Sequence, residues 1–150
     1  MRARHAGKMR NWFNDSTRWK VVELDALEGL AKVVFLECDW TKLEKLVIPD
    51  KLNYRLLGQV VENALTGQYL ARLPQEHKHR IYYDSLVRGR VQLAGMDRIA
   101  ICSAEQTEIE LNPAARYYLL DGAGRCLPYM ILLNERKLKP ATVEAFLAER

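Results

Sequence analysis

No stretch of this sequence stays apolar long enough to cross a bilayer. Its apolar runs, residues 33–36 and 129–133 among them, fall far short of the roughly 20 residues a spanning helix needs. Cysteine is sparse as well: Cys38, Cys102 and Cys126 are odd in number and far apart. That spacing excludes a Cys-x-x-Cys motif and argues against a disulfide framework, which points to a reducing compartment. The charges near residue 1 are followed by no apolar h-region, so no secretory signal is expected and the expected location is cytoplasmic. Nucleophile motifs are missing too. Ser16, Ser85 and Ser103 lack a G-x-S-x-G setting, Cys102 falls in an apolar run where a thiol is inert, and Glu108 and Glu110 lie on a polar segment where carboxylates are solvated. There is no internal repeat and no low-complexity tract.

What is present fits one α+β domain. The chain has 150 residues, 49% hydrophobic and 28% charged, enough for one ordinary core and cramped for two. Its net charge of +4 is unevenly placed: six cations against Asp15 alone give the first 20 residues +5 and leave −1 for all the rest. Residues 1–16 read as a basic, flexible arm in which Gly7, Asn11, Asn14, Asp15 and Ser16 are loop formers, followed by a single domain over 17–150. A basic arm suits phosphate backbones or anionic partners.

Residues 21–24 and 31–36 are rich in β-branched side chains and are expected to form paired strands, with residues 25–28 as a turn or the start of a short helix. Thr41 and Glu44 have the spacing of a capping box ahead of a short helix stopped by Pro49. After Asp50, the positions Leu52, Leu56, Val60, Val61 and Leu65 predict a helix with one buried face, ending at Gly67 and extending weakly over 68–73 until Pro74. A polar loop is expected over 75–80, and strands over 81–87, 98–102 and 116–120. Leu56, Val60, Val61, Ile99, Ile101, Leu119 and Ile131 are the expected core, in a mixed sheet with packed helices.

The most informative stretch is 117–125, an apolar strand-like run emptying into Asp121-Gly122-Ala123-Gly124-Arg125. A strand that runs through a Gly-rich turn into a helix lets backbone N–H groups converge on a phosphate, with Arg as a planar partner. Two conformations compete. In one, a helix begins near Cys126 with Pro128 in its first turn, where a missing N–H is tolerated, and Pro140 ends it, leaving 142–147 as a closing strand or a terminal helix. In the other, 116–134 is a β-hairpin turning at Asp121-Gly122, which Pro128 opposes by removing a ladder N–H.

Strand, Asp-Gly-x-x-Arg, helix and a final Val-x-x-Phe segment resembles the ParB/sulfiredoxin-like superfamily over the last third of the chain. The residues that carry the resemblance are Asp121, Gly122 and Arg125, with 118–120 before them and 143–146 after. The resemblance implies a nucleotide or a nucleic acid as ligand, with the nucleotide as the one cofactor it suggests, and Asp121, Gly122 and Arg125 as phosphate-binding residues, to which the reading of the Gly-rich turn adds Gly124. Many members of that superfamily carry a Glu, His or Cys between the Gly and the Arg. Here stand Ala123 and Gly124, neither of which can act as acid, base or nucleophile.

Other clusters are weaker. His77 and His79 would face one side of a strand, but no third ligand is near and Lys78 and Arg80 repel a cation, so no metal site is expected. Arg80, Tyr82, Tyr83, Arg88 and Arg90 mix cations with aromatics, the combination that single-stranded nucleic acids use; a half-buried strand with its arginines reaching to solvent accounts for them equally. Expected nucleic-acid contacts are Arg2, Arg4, Lys8, Arg10, Arg88 and Arg90. Two function classes follow: a ParB-like nucleotide- or nucleic-acid-phosphate-binding domain, with or without catalytic activity, and a non-catalytic protein-interaction adaptor of a bacterial system.

Overall fold

Alternation of exposed and buried residues over Thr142–Glu149 places Val143, Ala145 and Leu147 on one face of a strand, the period-2 pattern of a half-buried sheet. A computed structural model describes this strand and the rest of residues 17–34, 56–89, 99–103 and 115–149. In chain order the elements are β1 (Arg18–Asp25), a 3₁₀ turn (Leu30–Lys32), β2 (Val33–Val34), α1 (Leu57–Thr66), α2 (Tyr69–Arg72), α3 (Lys78–Val87), β3 (Ile99–Ser103), β4 (Tyr117–Asp121), α4 (Ala123–Asn134) and β5 (Thr142–Glu149). The strands form one five-stranded mixed sheet of order β1-β5-β3-β4-β2. β1 is antiparallel to β5 and β3 to β4, while β5 with β3 and β4 with β2 are parallel. The fold is α+β in a single unit, as patterning and composition predict. Among the described residues, no helix is long and apolar enough to cross a membrane.

The core lies between the sheet and the helices. Ile99, Ile101, Leu119, Val143, Ala145 and Leu147 from the strands meet Leu57, Val60, Val61 and Ala64 of α1 and the middle of α4. Residues 126–133 of α4 are all buried, as befits a helix that is apolar all round. Six of the seven expected core residues are buried, and Leu56 is half-buried at the N-cap of α1. The stripe of α1 is therefore Leu57, Val60, Val61 and Ala64, while Leu65 is 38% exposed. Gln59 closes the start of that helix, its Oε1 accepting the Leu56 N–H at 3.1 Å.

Four sequence expectations are corrected. β1 and β2 do not pair; they stand at opposite edges of the sheet, because Asp25 Oδ1 accepts the N–H groups of Leu27 and Glu28, both at 2.9 Å, and leads into a 3₁₀ turn rather than a hairpin. Residues 68–73 do not continue α1, since Gln68 takes the left-handed conformation (φ 52°) and breaks it from α2. Residues 81–87 are helix rather than strand: His79, Tyr82, Tyr83 and Leu86 recur at i, i+3, i+4 and i+7, and all four turn toward the core. Finally, the polar loop expected over 75–80 holds only for 75–77, and 78–80 form the first turn of α3. His77 caps α3, its Nδ1 accepting the His79 N–H at 3.1 Å, and His79 is fully buried. The arm 1–16, the capping box at Thr41 and Glu44, and Leu52 lie outside the described residues.

Candidate functional site

The stretch 117–134 is strand, one-residue turn and helix, not a hairpin. β4 ends at Asp121, Gly122 turns the chain with φ 105°, and α4 begins at Ala123, three residues earlier than the expected start. Only glycine suits this turn. A Cβ on Gly122 would lie 2.6 Å from Ile99 Cγ2 on the neighbouring strand, and the positive φ is costly for any side chain. Pro128 accordingly sits at the sixth position of α4 rather than in its first turn. It removes the donor that would meet the Gly124 carbonyl, and the burial of the whole helix middle offsets that loss.

Four groups converge at the head of α4. The Gly122 carbonyl accepts the N–H groups of Arg125 (3.1 Å) and Cys126 (2.9 Å), whereas the N–H groups of Ala123 and Gly124 precede the first helical bonds and have no acceptor within the helix. Arg125 folds back over the turn: its Nη2 lies 3.2 Å from where a Gly122 Cβ would stand and 3.5 Å from Asp121 Oδ2. The Arg125 side chain is largely buried, whereas that of Asp121 is exposed. On the other side, the aliphatic stem of Lys78, at the start of α3, passes Gly124. The structure thus brings Asp121, Gly122, Gly124 and Arg125 together and adds a second cation, Lys78.

Chemically this arrangement is an electropositive notch. A helix N-terminus and a guanidinium favour an anion, and the Asp121 carboxylate pairs with Arg125 while opposing part of that field. The two described cysteines are poor nucleophiles: burial pushes the thiols of Cys126, next to Arg125, and of Cys102 up to about 12, so both are protonated thiols at neutral pH.

Of the other sequence-predicted contacts, Arg88 is the one among the described residues, and it does not join the notch. Arg88 is exposed at the C-terminal end of α3, about 15 Å from Lys78 along a ten-residue helix. Arg2, Arg4, Lys8, Arg10 and Arg90 lie outside the described residues. The His77–His79 pair is structural. The Tyr69 hydroxyl lies in hydrogen-bond contact, 2.9 Å from His79 Nδ1, and burial, with His77 and Lys78 adding to it, pulls the His79 pKa down to about 3. Among the described residues no three His, Cys, Asp or Glu side chains cluster as a metal site. Lys78 was legible only through the helical spacing of 79, 82, 83 and 86, which would have put it at a helix start. Compared with protein-family models, curated proteins and solved structures, the chain matches none.

Proposed function

We propose that this protein binds a phosphate group of a nucleotide or nucleic acid at the N-terminus of α4, in the manner the ParB/sulfiredoxin-like resemblance implies, with the basic arm as a second electrostatic contact. The observation that carries this reading is the flanking of one helix N-terminus by Arg125 and Lys78 over two glycines. Gly122 and Gly124 keep side chains away from the backbone amides, Arg125 supplies a planar fork for two phosphate oxygens, and Lys78 adds charge. The two described cysteines are held protonated by burial, and the reading is of binding.

The test is a fluorescence titration of ATP and of single- and double-stranded oligonucleotides across a range of salt, with the parent and Arg125→Ala. Binding should weaken with salt, with a slope of about 0.9 per neutralised phosphate on duplex DNA, and Arg125→Ala should abolish it. The ion pair with exposed Asp121 contributes little to stability, and a thermal melt of the variant reports that the fold is retained. Parent-like binding by Arg125→Ala sinks the reading. The adaptor reading would then take its place, favoured by the exposed apolar residues Trp19, Val21 and Phe146 on β1 and β5, of which Val21 and Phe146 are register partners.

A further inference from the structure

A second site lies at the other end of α4. A cavity of about 360 Å³ opens where α1 and α2 meet α3 and the last turn of α4, within the roughly 300–1,000 Å³ of small-molecule sites. One wall is apolar, with Leu65, Leu70 and Ile131. Leu65, exposed as noted above, borders this space.

The opposite wall is charged in an unusual way. Arg80 and Asp84 stand one turn apart on the same face of α3 and both line the cavity, a spacing at which opposite charges can bridge. Here they do not bridge. Arg80 Nη1 is drawn instead to the Leu73 carbonyl at 2.9 Å, leaving its remaining donors, and Asp84 makes no ion pair among the described residues. Glu135, the other acid on the rim, is already engaged: it accepts the Tyr83 hydroxyl at 2.8 Å and lies 3.4 Å from Lys137. One cation and one anion are thus held apart, side by side, facing an apolar wall.

We propose that this cavity binds a free α-amino acid with an apolar side chain. Arg80 takes the carboxylate, Asp84 takes the ammonium group, and the side chain lies against Leu65, Leu70 and Ile131. A ligand with one charge would leave Arg80 or Asp84 facing the cavity without a counter-charge, and a ligand without an apolar body would leave that wall wet. This inference is independent of the phosphate reading, which concerns the opposite end of α4.

The experiment is isothermal titration of the full chain with L-leucine, L-methionine and L-phenylalanine, and with two single-charge analogues of leucine, 4-methylpentanoate and 3-methylbutylamine. At least one amino acid should bind, and leucine should bind more tightly than either analogue. Asp84→Asn should weaken amino-acid binding about tenfold or more, the worth of one charge-assisted contact, while leaving 4-methylpentanoate unaffected; its thermal melt reports that the fold is retained. The proposal is overturned if no amino acid binds, if an analogue binds as well as leucine, or if a folded Asp84→Asn protein binds amino acids like the parent.

Discussion

The stem of Lys78 packs against Gly124: a Cβ on the glycine would stand 3.5 Å from Lys78 Cδ, an ordinary van der Waals contact. α3 and α4 therefore meet at their N-termini, and helix packing alone brings the lysine stem beside Gly124. Because the space is there and Gly124 is helical, Gly124→Ala should stabilise the fold by about 0.5–1 kcal/mol, measured by urea unfolding. The same methyl group narrows the approach to the amides, so phosphate binding should weaken even as stability rises.

Gly122→Ala should behave in the opposite way. Its Cβ would overlap Ile99 Cγ2 at 2.6 Å, in a backbone conformation with φ 105°. A loss on the order of 2–4 kcal/mol is expected from strain and overlap together. Equilibrium unfolding of the two alanine variants side by side checks this contrast, and equal effects would contradict the turn geometry.

Sheet and site were legible to different degrees. The apolar runs within 99–103 and 117–121, and the Asp-Gly turn running into a helix, could be read locally because each depends on neighbours in sequence. Lys78 could not, because its place beside Gly124 is set by how α3 packs on α4. The strand expected over 81–87 failed because paired tyrosines at 82 and 83 suggest β structure, while the helix depends on the His77 cap and on burial of His79, a polar residue absent from any apolar pattern. Leu65 fits the helical stripe yet faces a cavity, which periodicity cannot foresee.

Val60 has no exposed surface and sits in the centre of α1 against the sheet. Val60→Asp should cost on the order of 3 kcal/mol or more by burying an unpaired carboxylate, seen as a lowered melting temperature or loss of folded protein. Full retention of stability would place α1 elsewhere.

Acid should act through His79. Its pKa is about 3 in the folded protein against 6.5 when unfolded, so the folded state binds fewer protons in between. The stability this gives is complete above pH 6.5 and is lost as pH falls toward 3, by up to about 1.4 kcal/mol per pH unit. Unfolding free energies from pH 7 to pH 4 should show that slope. In His79→Gln, which can still hydrogen-bond Tyr69, this part of the slope should vanish; an unchanged slope would mean that His79 titrates normally.

The central claim is that α4 presents its N-terminus to a phosphate. The most direct measurement is a backbone amide NMR titration of the full chain with ATP. The largest shifts should fall on Ala123, Gly124 and Arg125 and disappear in Arg125→Ala. Shifts confined to other residues, or the same shifts in the Arg125→Ala protein, would contradict it.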